Sequence, residues 1–307
     1  MKKGHNTTGK GLDRKLLYAV ILVALALVAL LTVYYMFLLP REKEWTAAIV
    51  DQLTVVPDLF DPAFNSTCSQ LLAVSGFDVR YYAGEDVNID FYRELPSKGD
   101  RILIVRAHSS IRGNTLNVDL YTSEVYQESL ALGRYYDLAA NKHISRAYFN
   151  YSDTEYFAVG PSFVSSVMEG ELSESFVILM GCESLNQTSM AEALVSRGAK
   201  AVVGWTGDVT VSDTDTGVLE LLELLLDRSY TLQGAVDKVN YDHPLVGTRL
   251  VYYPEAERDY IVPNREVEAS LTLSKIMPAY LTISSAAALR PVESLLLTRR
   301  KRLYLLI

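Results

Sequence analysis

The chain has 307 residues, 49% of them apolar, and a formal charge of −8. That length holds one large domain or two small ones. The acidic balance argues against nucleic acid as a partner, since phosphate binding needs clustered cations; two cysteines, with no CxxC and no His-rich tract, argue against a disulfide framework and against any metal site.

In chain order, residues 1–15 form a basic tail, with Lys2, Lys3, Lys10, Arg14 and Lys15 against a single Asp13. Residues 16–39 carry no charge. At ~1.5 Å per residue such a run spans a bilayer core of ~30 Å, and it is longer than the apolar region of a cleavable signal. It reads as a transmembrane signal anchor whose partner is the lipid bilayer. The next segment, REKE at 41–44, is balanced, so the positive-inside rule keeps the N-terminus cytoplasmic and exports the rest. The N-x-S/T triplets at Asn65, Asn150 and Asn186 all lie on the exported side.

Beyond the anchor, short apolar runs alternate with helical patterns, which predicts an α/β fold with a mostly parallel sheet over 46–265. TAAIVDQL (46–53) is the first expected strand. A helix over 61–76 follows, with Asp61 as N-cap, Pro62 at its first position and Gly76 closing it. FDVRYYAG (77–84) is a second strand, NIDFYRELPSKG a short helix, and RILIVRAHSS (101–110) a third strand. Residues 111–170, rich in Tyr, Asn and Ser, read as short strands and ordered loops of an insertion or substrate-facing region, with Tyr148, Tyr151 and Tyr156 as groove candidates. The regular pattern resumes with strand SFVILMGCES (175–184), helix SMAEALVSRG, strand KAVVGWTG (200–207), and helices over 213–229 and 231–242. RLVYYPEA and RDYIVPN read as edge strands. The region 266–307 is broken by Lys275, Pro278 and Arg290, is not assigned a second membrane span, and ends in the basic RRKR.

Chemistry concentrates where two strands leave the core. His108 ends one and Cys182 ends another, and ligands of parallel sheets bind at the carboxyl ends of strands. If these strands are neighbours, the imidazole can take the thiol proton and later return it to a leaving amine. Gly181 would let a substrate carbonyl approach, the Cys182 N–H would help hold an oxyanion, and a helix beginning near Ser189 would favour thiolate.

The stretch GCESLNQTSMAEALVSRGAKAVVGWTGDVTVSDTDTGVLELLELLL resembles the C-terminal half of CHAT-type, caspase-like (clan CD) cysteine peptidases. The matching positions are Cys182-Glu183, Arg197-Gly198-Ala199, Gly204-Trp205 and Asp213-Thr214. RAHSS resembles the histidine strand of the same clan. The resemblance covers about residues 46–240. It implies a caspase–hemoglobinase fold of strand order 2-1-3-4-5-6, a His108/Cys182 dyad acting on a protein or peptide substrate, and no cofactor. Where the clan commonly has His-Gly, this chain has His108-Ser109, so the Ser109 N–H stands beside that of Cys182 as an oxyanion donor. Clan members also select Arg or Lys with an acidic pocket; Asp208 and Asp213, on the loop after Trp205, take that place here, with Trp205 and Asp51 as further pocket candidates. A helix cap is the competing role for Asp213. Two other readings stay open from sequence: a catalytically silent exported domain that binds a partner or ligand, and a Cys68–Cys182 disulfide.

Overall fold

A computed structural model describes residues 14–38, 45–56, 59, 61–149, 153–227 and 230–263. The C-terminal region 266–307, most of the basic tail, Asn150 and Tyr151 lie outside the described residues. The chain divides into two units, 1–43 and 44–307. The first holds helix α1 (Arg14–Leu38), whose described side chains from Val20 to Leu31 are exposed. Among the described residues, no helix is long and apolar enough to cross a membrane.

The second unit is built on a six-stranded sheet. Its strands are β1 (Thr46–Asp51), β2 (Asp78–Ala83), β3 (Ile102–Arg106), β8 (Phe176–Leu179), β9 (Ala201–Trp205) and β10 (Leu250–Tyr253). The order is β10-β9-β8-β3-β1-β2, parallel throughout except for β10, which pairs antiparallel with β9. Numbered along the sheet, this is 2-1-3-4-5-6, the order the resemblance implies.

The unbroken apolar runs follow from burial on both faces. Ala47, Ile49, Ile102, Ile104, Phe176, Ile178 and Val203 point to one side, under helices α2 (Pro62–Val74), α8 (Val211–Leu226) and α9 (Leu232–Asp242). Their neighbours Ala48, Val50, Leu103, Val105, Val177, Leu179 and Val202 point to the other. There they meet α3 (Ile89–Glu94), α6 (Pro161–Ser166), α7 (Ser189–Ser196) and one face of a second sheet. That sheet is antiparallel, in the order β4-β5-β7-β6, from β4 (Ser109–Ile111), β5 (Val118–Val125), β6 (Ile144–Tyr148) and β7 (Glu155–Val159). It accounts for the irregular 111–170 region.

Three expectations need correction. The strand expected over 101–110 is two: β3 stops at Arg106, and β4 begins at Ser109 in the other sheet. RDYIVPN forms no strand over its described residues; its carbonyls at Arg258 and Tyr260 accept from Gln233 and Leu232 N–H, the otherwise orphaned donors of the first turn of α9. Asp213 is not the cap of α8: Thr210 is, its hydroxyl accepting from the Asp213 N–H at 3.1 Å. Asp61, by contrast, caps α2 as its sequence position indicates, accepting from Ala63 N–H at 2.8 Å.

The buried side of β3 ends on a charge. Arg106 is fully buried and reaches Asp51 at 3.0 Å, Asp215 through two bonds of 2.8 Å, and the Leu59 carbonyl at 3.2 Å. Burial pulls both carboxyl pKa values up against the opposing pull of the guanidinium, so the cluster is stable only when complete. Replacing Arg106 by Met should cost about 3–5 kcal/mol in a urea titration, and adding D51N and D215N should recover most of that loss.

Candidate active site

The carboxyl ends of β3 and β8 are level. Val105 pairs with Leu179, and the Met180 N–H donates to the Val105 carbonyl at 2.9 Å. His108 and Cys182 each lie three residues past that pair, so one rim of one sheet carries both. The two strand exits are in contact. The Ser109 hydroxyl donates to the Cys182 carbonyl at 2.5 Å. A Cβ built on Gly181 would fall 2.2 Å from Ser109 Oγ, 2.5 Å from the Ala107 carbonyl and 2.9 Å from Ser109 N. Glycine is thus required here by the neighbouring strand exit itself, rather than by a substrate carbonyl.

The turn after β8 is fastened to the exit of β9. Glu183 N–H donates to Gly207 and Leu185 N–H to Trp205. The buried Ser184 hydroxyl donates to the Leu179 carbonyl and accepts from Trp205 N–H. Glu183, directly after the cysteine, has φ of +53°, a left-handed backbone uncommon for a non-glycine residue. Its N–H, donating to the Gly207 carbonyl at 2.9 Å, holds it there.

Cys182 is half-buried, and its Sγ sits on the backbone of Val209, accepting from N–H at 3.4 Å and donating to the carbonyl at 3.3 Å. Burial raises the thiol pKa, and the charges of Asp208 and Glu183 add to the rise. Helix α7 begins seven residues later, at Ser189, and the thiol is not held below its ordinary value. His108 is also half-buried. Its ring lies 4.2 Å from Phe149 and 5.9 Å from Tyr121, between centroids. Burial, with the Arg106 charge adding to it, pulls the imidazole down to about 4 from 6.5. At neutral pH His108 is therefore a neutral imidazole and Cys182 a thiol, not a preformed ion pair.

The other expected residues divide sharply. Asp208 is exposed near the thiol, and burial plus Asp208 raises the Glu183 carboxyl. Among the described residues, neither Asp208 nor Glu183 is in an ion pair. Asp213 accepts from the Thr210 hydroxyl at 2.7 Å and is occupied in the first turn of α8. Asp51 is fully buried and held by Arg106 and by Tyr81 OH at 3.0 Å, so it offers no free carboxylate to a ligand. Trp205 is 1% exposed, its indole donating to Thr214 Oγ1 at 2.8 Å; it braces the rim from within. Tyr156 is buried, and Tyr148 is exposed. Both cysteines are free thiols, with Cys68 fully buried under the sheet and its pKa pushed up to about 12, so no disulfide joins them. Among the described residues no group of acids, histidines and cysteines could hold a metal ion.

The sequence reading gave no role to Arg106, Asp215, Gln52 or the Glu183 carboxylate. Arg106 had a signal, a cation at the end of a fully buried strand, which demands a buried anion. Gln52 had none.

Neither a protein-family model nor a curated protein matches the chain. Among solved structures, it aligns with the crystal structure of the Arg specific cysteine proteinase gingipain R (RGPB) at a TM-score of 0.41 and 12% identity. The alignment covers 72% of this chain and 46% of that one, so the chain spans less than half the length of that proteinase.

Replacing Gly181 by Ala should part the two strand exits. The expected result is at least a ~10-fold slower alkylation of Cys182 by iodoacetamide at pH 8, with far-UV circular dichroism unchanged, since two of the three clashing atoms, the Ala107 carbonyl oxygen and Ser109 N, are backbone and no rotamer relieves them.

Proposed function

We propose that this chain is a caspase-like cysteine peptidase, with Cys182 as nucleophile and His108 as general acid and base. The single observation supporting it is the level placement of the two residues on adjacent parallel strands whose exits touch through Ser109 and Gly181. As sulfur bonds to the scissile carbonyl carbon, its proton passes to the imidazole. The C–N bond then breaks, and the leaving nitrogen takes that proton. Water attacks the thioester, again giving up a proton through His108; the C–S bond breaks, the acid departs and the thiol is restored. The N–H groups of Cys182 and Ser109 would hold the oxyanion. No cofactor enters the scheme.

Specificity falls to the two acids beside the thiol. Glu183 and Asp208 both place negative charge near the thiol and have no cation partner among the described residues, which favours Arg or Lys before the scissile bond. Asp51 and Asp213 are already engaged and take no part in this reading.

The competing reading is a catalytically silent binding domain, favoured by a thiol whose pKa is raised and whose sulfur is hydrogen-bonded to Val209. Peptide hydrolysis decides between them. Substrates with Arg at the cleavage position should be cut, C182A should lose at least ~10³-fold, and E183Q or D208N should lower the Arg preference roughly tenfold. Because the imidazole must be neutral to accept a proton, the rate should survive acidification past 6.5 and be lost as pH falls through about 4. No hydrolysis of any peptide by the intact chain leaves the binding reading.

The charge pattern supports anchoring of this domain outside the cell by residues 16–39, with the N-terminus cytoplasmic. External protease should then digest the 46–265 domain on intact cells; digestion only after lysis would refute the topology.

A further inference from the structure

Gln52 is the residue after the last position of β1, and it is fully buried. Its side-chain oxygen accepts the backbone N–H of His108 at 3.1 Å. The setting gives that bond its meaning. Between Arg106 and Ser109 the chain leaves one sheet and joins the other, so Ala107 and His108 belong to the ladder of neither. The His108 carbonyl is taken by the second sheet, accepting from Tyr121 N–H at 2.9 Å. Its N–H is taken from the first sheet, and by a side chain rather than a backbone carbonyl. One glutamine thus ties the crossing point to β1, while Tyr121 and Phe149 pack on the ring. The second amide atom, Nε2, is buried and has no hydrogen-bond partner. An unpaired buried donor is costly, and an apolar side chain here would only move that cost from Nε2 to the His108 N–H. The glutamine leaves its own amide group unpaired and supplies the acceptor for His108.

Resting on the peptidase reading above, we propose that Gln52 is a positioning residue: by holding the His108 backbone at the crossing between the two sheets, it sets the imidazole where it can take the Cys182 proton. It touches neither substrate nor thiol.

The test uses the full-length chain, iodoacetamide as probe, and mass spectrometry to read Cys182 alkylation between pH 4 and 9, with buried Cys68 as internal control. Gln52→Met keeps the volume and removes the acceptor; Gln52→Glu keeps an acceptor oxygen. Q52M should slow Cys182 alkylation about tenfold at pH 7 and carry its pH profile onto that of H108A, while Q52E retains most of the parental rate. In peptide hydrolysis Q52M should lower kcat with KM nearly unchanged, a split that general loosening would not give. The inference is overturned if Q52M keeps the parental profile while H108A changes it, or if Q52E folds and is as slow as Q52M. A profile that H108A does not alter sinks the peptidase reading as well, which marks that failure as a different one. Should Q52M not fold, hydrogen exchange in the parent decides: a His108 amide exchanging as fast as an open loop removes the clamp, and a protected one, with Q52E near the parental rate, supports it.

Discussion

The arrangement depends on one steric constraint, the contact between the exits of β3 and β8. Gly181 passes so close to Ala107 and Ser109 that a single methyl group would overlap three atoms of the neighbouring strand exit. Because the strands are parallel and in register, that contact brings the residues that follow them, His108 and Cys182, to the same rim. Ser109 joins in: its hydroxyl donates to the Cys182 carbonyl and staples the two strand exits together.

Around this contact the fold has sorted its charges by depth. The deepest, Arg106, is consumed by Asp51 and Asp215 and serves the core. The shallower acids, Glu183 and Asp208, have no cation partner among the described residues, and their charges raise the pKa of the thiol. Distance from solvent makes the difference: a fully buried carboxylate must be paired, while one at the rim can remain unpaired at small cost. Partial burial pushes both groups toward their neutral forms, the His108 imidazole down and the Cys182 thiol up.

The second sheet gives the histidine its mobility limits. His108 stands between two ladders, its carbonyl in one and its N–H held from the other, with aromatic rings of the second sheet on its imidazole. A strand that continued straight past Arg106 would have alternated His108 by simple pleat; the crossing replaces that rule with specific contacts.

By itself the sequence determined the parallel sheet and its helices, because residues buried on both faces must be apolar in unbroken runs, and runs such as ILIV and FVIL, short, rich in β-branched residues and alternating with helical patterns, read as buried strands. It also determined that His108 and Cys182 end such runs. Only the tertiary structure decided which acids were free: Asp51 and Asp208 look alike in sequence, and it is Arg106, folded in from the adjacent strand, that takes one and leaves the other. Nor could the sequence reveal the break of 101–110 into two sheets, or Gln52 reaching across 56 positions to a backbone N–H. Periodicity reports which face of a strand is buried; it carries no record of what lies against it.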